Sequence, residues 1–182
     1  MMFDNNKQED VNELSGYEEL SEITLVKDMM SFEYCLYDNP DHLNALVGLI
    51  NHYMAGLAGV EKQHGKLQQL RLVDGLANQE NAEVLFVVSG NRAVGLAVCF
   101  IHFSIFDIKP YMYIQDLIVE EEFRNKGFGR ALLEKLIESS VEREFSKITL
   151  EVCEDSRIAQ SLFESMGFEN IDPVRKFLTM KL

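Results

Sequence analysis

EEFRNKGFGRALLEKL, Glu121 to Leu136, decides how this chain is read. Gly127 and Gly129 sit one residue apart behind Arg124 and Lys126, and Leu132, Leu133, Leu136 and Ile137 follow at i, i+1, i+4, i+5. That spacing predicts an amphipathic helix opened by a glycine turn. A helix N-terminus exposes N–H groups that lack intrahelical partners and carries a partial positive charge. Glycines there let the backbone close on a bulky anion, for which a phosphate or pyrophosphate is the natural ligand. Arg124, Lys126 and Arg130 add local positive charge. A tight turn without any ligand would use the same glycines, so the flanking sequence has to choose.

Upstream, YMYIQDLIV (Tyr111–Val119) predicts a long strand, and AEVLFVVSGNRAVGLAVCF predicts two strands turning at Ser89, Gly90 and Asn91. HFSIFDIKP reads as the loop between them and the long strand. Phe32–Tyr37 reads as a first strand, followed by a helix capped by Asn39 before Pro40, with Leu43, Leu46, Val47, Ile50 and Tyr53 on one face. A second helix is expected over KLQQLRLVDGLAN. Downstream, SKITLEVCE alternates as a strand, SRIAQSLFESMGF as a helix ended by Gly167, and RKFLTMKL as a closing strand. Short turns imply antiparallel pairing and the later helices imply crossovers. The expected fold is α/β, a mixed, mostly antiparallel central sheet with a parallel pair, flanked by helices. Residues 1–30 are acid-rich and weakly patterned, an N-terminal extension with at most a helix over GYEELSEITLVKDMM. Residues 31–182 form the domain.

Composition narrows the function. The chain of 182 residues is 47% apolar, enough for a core, and its 17 basic against 30 acidic residues give a net charge of −13. That balance opposes nucleic-acid binding and leaves room for a cationic substrate. Three widely spaced cysteines, Cys35, Cys99 and Cys153, suggest reduced thiols and a cytoplasmic setting. No metal is expected, because the four histidines show no ligand spacing. No signal peptide is visible, and the longest apolar-rich window, around His102, is too short to span a bilayer, so no membrane partner is expected.

Three anion-binding motifs compete for the glycine loop. A P-loop ends in G-K-[ST], which is absent. A dinucleotide fingerprint needs a small residue where Leu132 stands, and glycines tight against the strand, whereas seven residues separate Val119 from Gly127. R-x-x-G-x-G, at Arg124, Gly127 and Gly129, remains. With its strand and helix, YIQDLIVEEEFRNKGFGRALLEKLIE resembles the acetyl-CoA motif of the GNAT N-acetyltransferase superfamily. LEVCEDSRIAQSLFESMGF is similar to the superfamily's second signature, a strand followed by N-x-x-A-x-x-x-Y-x-x-x-G-F. The resemblance covers about Phe32 to Leu182 and implies a GNAT-like fold whose parallel strands splay apart.

It further implies that the amides of Asn125, Lys126, Gly127, Phe128, Gly129 and Arg130, with Ala131 beside them, hold the pyrophosphate of coenzyme A. The backbone of Leu117, Ile118 and Val119 would pair with the pantetheine arm like an added strand. The gap towards the Ile148–Val152 strand would admit the thioester. Ser156 stands at the signature's asparagine and Phe163 at its tyrosine, both on the cofactor side. The implied reaction is acetyl transfer from acetyl-CoA to a primary amine of a small molecule or a protein. A homodimer is a common outcome in such families.

The usual proton carriers are missing. Gln115 occupies the position of the family's glutamate base and cannot take a proton, while Phe163 has no hydroxyl. Asp116, Tyr113 and His102 are the stand-ins on the strands. Tyr53, Glu61 and His64 lie where relatives build the acceptor pocket. In a regular strand Tyr113 shares a face with Gln115 and Asp116 takes the other, unless a bulge intervenes. The alternative function is a coenzyme A-binding regulatory module with little or no turnover.

Overall fold

The computed structural model describes residues 30–56, 64–170 and 178–180. They fall into two compact units divided after Leu150. In the first, β1 (Met30–Tyr34), α1 (Pro40–Gly56), α2 (Lys66–Ala77), β2 (Ala82–Ser89), β3 (Arg92–Ser104), β4 (Lys109–Val119), a 3-10 turn (Glu121–Phe123), α3 (Phe128–Glu142) and β5 (Ile148–Leu150) follow one another. The second holds α4 (Arg157–Ser165). The sheet runs β1-β2-β3-β4-β5, antiparallel throughout except for the parallel β4–β5 pair.

Local chemistry explains the elements. Asn39 caps α1, accepting the Asp41 N–H on its side chain at 3.0 Å, and Pro40 takes the first helical position, where no N–H is needed. Leu46 and Leu49 of α1 pack with Val84, Phe86, Leu96, Val98 and Ile118 on one face of the sheet, and Val73 and Leu76 of α2 join from the edge. Side chains at directly paired positions share a face. The opposite face therefore carries Leu85, Val87, Ala97, Cys99, Met112 and Ile114. It is covered by α3, whose Leu132, Leu133 and Leu136 are buried and whose Ser140 Oγ meets Met112 Sδ at 3.8 Å.

Three expectations shift. β1 starts and ends earlier than Phe32–Tyr37. The stretch expected as a loop at His102–Ser104 and Lys109–Pro110 is strand, because His102 pairs with Tyr111 and Ser104 with Lys109. The ladder overrides the local turn residues and leaves only Ile105–Ile108 as the tip, closed by Ser104 Oγ donating to Asp107 at 2.7 Å. β5 is only three residues long instead of nine. The expected helix over Gly16–Met30 falls almost wholly outside the described residues, as do most of RKFLTMKL and Glu61; residues 178–180 are not in a strand.

Gly95 stands where β3 and β4 leave no room for a side chain. A methyl group there would meet the Ile118 carbonyl oxygen at 2.7 Å and Val87 Cγ1 at 3.1 Å. Backbone cannot yield as a side-chain tip can, so Gly95→Ala should cost about 1–3 kcal/mol as overpacking. Thermal melts should show Tm lower by roughly 3–10 °C; an unchanged Tm would mean that β3 and β4 are not held this close.

Candidate active site

β5 pairs only with Met112, Tyr113 and Ile114. β4 continues to Val119, paired with β3 alone among the described residues. A strand paired on one side turns the N–H and C=O groups of alternate residues towards the open side. Leu117, Ile118 and Val119 thus form the half-paired segment that an extended ligand could join. Ile118 is 3% exposed and packs in the core cluster, which anchors this edge to the α1 face.

The register slips at the root of the edge. Val98 pairs with Asp116 but Cys99 pairs with Ile114, which leaves Gln115 as the extra residue of a β-bulge. The slip overturns the regular alternation. Asp116, rather than falling opposite Tyr113, sits on the same face, because Tyr113 pairs with Phe100 and Asp116 with Val98 two positions along β3. Gln115 is exposed while Asp116 is half-buried. Loss of solvent pushes the Asp116 carboxyl above the usual carboxylate range. A carboxylate with a raised pKa is a better proton acceptor.

Beyond Val119 the chain makes the 3-10 turn, extends through Arg124, and then adopts positive φ at Asn125 (60°) and Gly127 (88°). Gly127 is the N-cap of α3, with ψ −7°, and the space where its side chain would stand is open to 4 Å. Left-handed residues alternating along a loop turn successive N–H groups into one concavity that favours anions. The Phe128, Gly129 and Arg130 amides precede the first intrahelical bond, from Ala131 N–H to the Gly127 carbonyl at 2.9 Å. The Ala131 amide is therefore spent inside the helix, and its side chain is buried against the sheet. Phe128 is also buried, so it offers a ligand only its backbone; its ring meets Phe123 edge-on at 5.3 Å. Arg124 bends back, its Nε donating to the Val119 carbonyl at 3.0 Å, which fixes the loop to the end of β4.

Arg92 was not singled out by the sequence, yet it governs the charge here. It is ion-paired with Glu120 and with Glu122, the latter at 2.5 Å, and its guanidinium lies 5.3 Å from the Phe123 ring. Those pairs offset the acidic run beside the loop, and Lys126 lies over the same ring at 5.7 Å. The carboxylate partners of Arg92 lie far along the chain, so the local sequence around it carries no sign of the pairing.

Of the other sequence candidates, Tyr53 packs at the margin of the α1 core, and the His64 N–H donates to Asn51 Oδ1 at 3.0 Å. His102 is exposed on β3. In the second unit Ser156 is the N-cap of α4, but its hydroxyl makes no capping bond. Phe163 lies edge-on to Phe168 at 5.8 Å. Phe168 N–H bonds to the Phe163 carbonyl and Gly167 N–H to that of Glu164, both at 3.0 Å, which closes the helix as the placement of Gly167 predicted. Cys153 is exposed, whereas Cys99 is buried and its thiol is pushed up to about 12.

The architecture matches known proteins. An aminoglycoside acetyltransferase from an uncultured soil metagenomic sample, solved with sisomicin, superposes with a TM-score of 0.72 at 20% identity, over 86% of this chain and 99% of that one. A ribosomal-protein-alanine N-acetyltransferase from Brucella melitensis biovar Abortus gives a TM-score of 0.69 at 16% identity, over 83% of this chain and 99% of that one. At such identities the likeness establishes the fold alone. The sequence model of the Acetyltransferase (GNAT) family matches residues 49–168, well over half the chain. The chain belongs to the GNAT acetyltransferase family.

Proposed function

We propose that this protein transfers acetyl from acetyl-CoA to a primary amine by direct attack. The observation that carries the reading is the half-paired end of β4 followed, after one 3-10 turn, by the concavity of backbone N–H groups at Gly127. The two features suit the two parts of one ligand: backbone pairing for the amide-bearing pantetheine arm, and convergent N–H groups for the diphosphate. When bound, acetyl-CoA supplies an acetyl group already activated as a thioester. In this reading the Asn125–Arg130 backbone cradles the diphosphate, with Arg130 and Lys126 contributing charge, and Leu117–Val119 aligns the arm. Gln115 and Asp116 then lie where the arm ends.

An alkylamine has a pKa of about 10, so near neutral pH it arrives as an ammonium ion and must lose a proton. Asp116 accepts it, directly or through water. The N–C bond forms and the C–S bond breaks. The nitrogen gives up its second proton through water to the departing thiolate as it becomes an amide, and Asp116 returns its proton to solvent. A thiol of pKa about 8.5 is already a competent leaving group, so a chain with phenylalanine at 163 loses less than one without a base. Tyr113, on the same face as Asp116, orients the amine or its water. Holding the two reactants together supplies much of the rate by itself.

Purified protein mixed with acetyl-CoA and a panel of primary amines should release free thiol in an amine-dependent, saturable manner. Saturable heat on titration with coenzyme A but no thiol release with any amine would instead support the regulatory binding module. Absence of both would reject the two readings together.

A further inference from the structure

The face of the sheet that bears Asp116 also carries a row of aromatic rings. Phe100 pairs with Tyr113 and His102 with Tyr111 across β3 and β4. Phe100 and His102 stack at 6.4 Å with 25° between planes, and His102 lies 5.5 Å from Tyr111 and 6.1 Å from Tyr113. Burial falls along this row: Phe100 is partly buried and packs against the α1 core, and His102 is exposed. One ring already hosts a cation, since Lys147 Nζ lies 5.3 Å from the centroid of Tyr111 while it bonds Asp107 at 2.9 Å. Phe100, His102 and Tyr113 continue the row towards Asp116.

Ring faces carry negative electrostatic potential and attract ammonium groups, while their area rewards an apolar body. A polyhydroxylated amine, by contrast, needs polar partners along its whole length, of which this row supplies few, the His102 ring nitrogens and the Tyr113 hydroxyl. We propose that the acceptor is a primary amine on an aromatic or alkyl body, its nitrogen at Asp116 and its body along Phe100, His102 and Tyr113. This rests on the transferase reading above. It also accounts for release. Acetylation makes the nitrogen a neutral amide as its protons pass to Asp116 and to the departing thiolate. The attraction to the rings and to the carboxylate then falls away.

The test compares phenethylamine and hexylamine with glucosamine, each with saturating acetyl-CoA, in the wild type and in His102→Ala and Tyr113→Leu. His102 is exposed, so its variant should fold, and Tyr113→Leu keeps apolar bulk. The apolar amines should be preferred by about 10-fold or more in kcat/KM. Each variant should erode that preference about 3- to 30-fold. His102→Ala should do so through KM for the apolar amines alone. Tyr113→Leu should do so through the same KM together with a lower kcat for all three amines, because Tyr113 also orients the amine. KM for acetyl-CoA should stay constant. A preference for glucosamine, an equal rate for all three, no turnover, or a preference untouched by both variants would overturn the inference. Thiol release separates this outcome from failure of the transferase reading. A wrong acceptor class still releases thiol with glucosamine or equally with all three amines. A failed transferase reading releases none, with coenzyme A heat retained by a binding module and lost if both readings fail.

Discussion

Gly129→Glu should weaken coenzyme A binding by about 100-fold or more without harming the fold, since a carboxylate a few ångströms from a phosphate is repelled by several kcal/mol at an effective dielectric of about 20. Gly129 is the second residue of α3, next to the amide concavity. An acidic side chain in the first turn of a helix is stabilising by about 0.3–1 kcal/mol in the absence of a bound anion. The variant should therefore melt at or slightly above the wild-type temperature while its calorimetric response to coenzyme A collapses. A variant that simply unfolded would lose Tm and affinity together, so the pair of readouts separates repulsion of the diphosphate from damage to the fold. Gly127→Ala makes a different prediction. No atom blocks the new methyl group, but φ of 88° costs an L-residue about 1–2 kcal/mol. Its Tm should fall and its coenzyme A affinity should weaken only in proportion to the distortion of the loop. Acetyl-pantetheine, which lacks the diphosphate, gives the control: its turnover should be indifferent to Gly129→Glu. Undiminished coenzyme A affinity in that variant would remove the phosphate from this loop.

The glycine loop was legible because its signal is chemical and local. Glycine is the residue that takes the positive φ of position 127 without strain, and the leucine stripe behind it has a single periodic reading. The hairpin from β3 to β4 was less legible. His102, Ser104 and Pro110 each look like loop residues, and only the cross-strand ladder, a non-local fact, holds them extended. The brevity of β5 was equally hidden, because alternation in SKITLEVCE persists after pairing has stopped. The bulge left a faint trace. Met112 and Ile114 face α3, and across Gln115 and Asp116, the strand's only adjacent polar pair, that duty passes from even to odd numbers at Leu117 and Val119. In a strand apolar on both faces, such a change of phase is masked by the apolar residues in between. Arg92 and Gly95 were missed for opposite reasons. The arginine works through carboxylates nearly thirty positions away, and the glycine is required by a carbonyl on the neighbouring strand.

The bulge decides where the base lies, and Asp116→Asn measures it. If Asp116 takes the amine proton, loss of the carboxylate should lower kcat/KM for the amine by about 10²- to 10⁴-fold. The affinity for coenzyme A should not move, because Asn keeps the size and the backbone of the residue. Gln115→Ala, one position back on the exposed bulge, should change turnover only a few-fold. The pH dependence follows from the direction of the shift. Burial raises the Asp116 pKa in the folded chain, so the folded state holds this proton more firmly than the unfolded one. Its ionised form is consequently a stability penalty, present at neutral pH and relieved as the pH falls towards the ordinary carboxylate value of 3.8. Asp116→Asn should melt higher than wild type at pH 7, with the difference shrinking towards pH 4. Activity should show the reverse economy: the variant's deficit should narrow as the pH approaches the amine pKa of about 10, where the acceptor arrives already neutral and needs no base. A variant that turns over normally at pH 7, or whose deficit is the same at pH 7 and pH 9.5, would show that the carboxylate is buried for some purpose other than proton transfer.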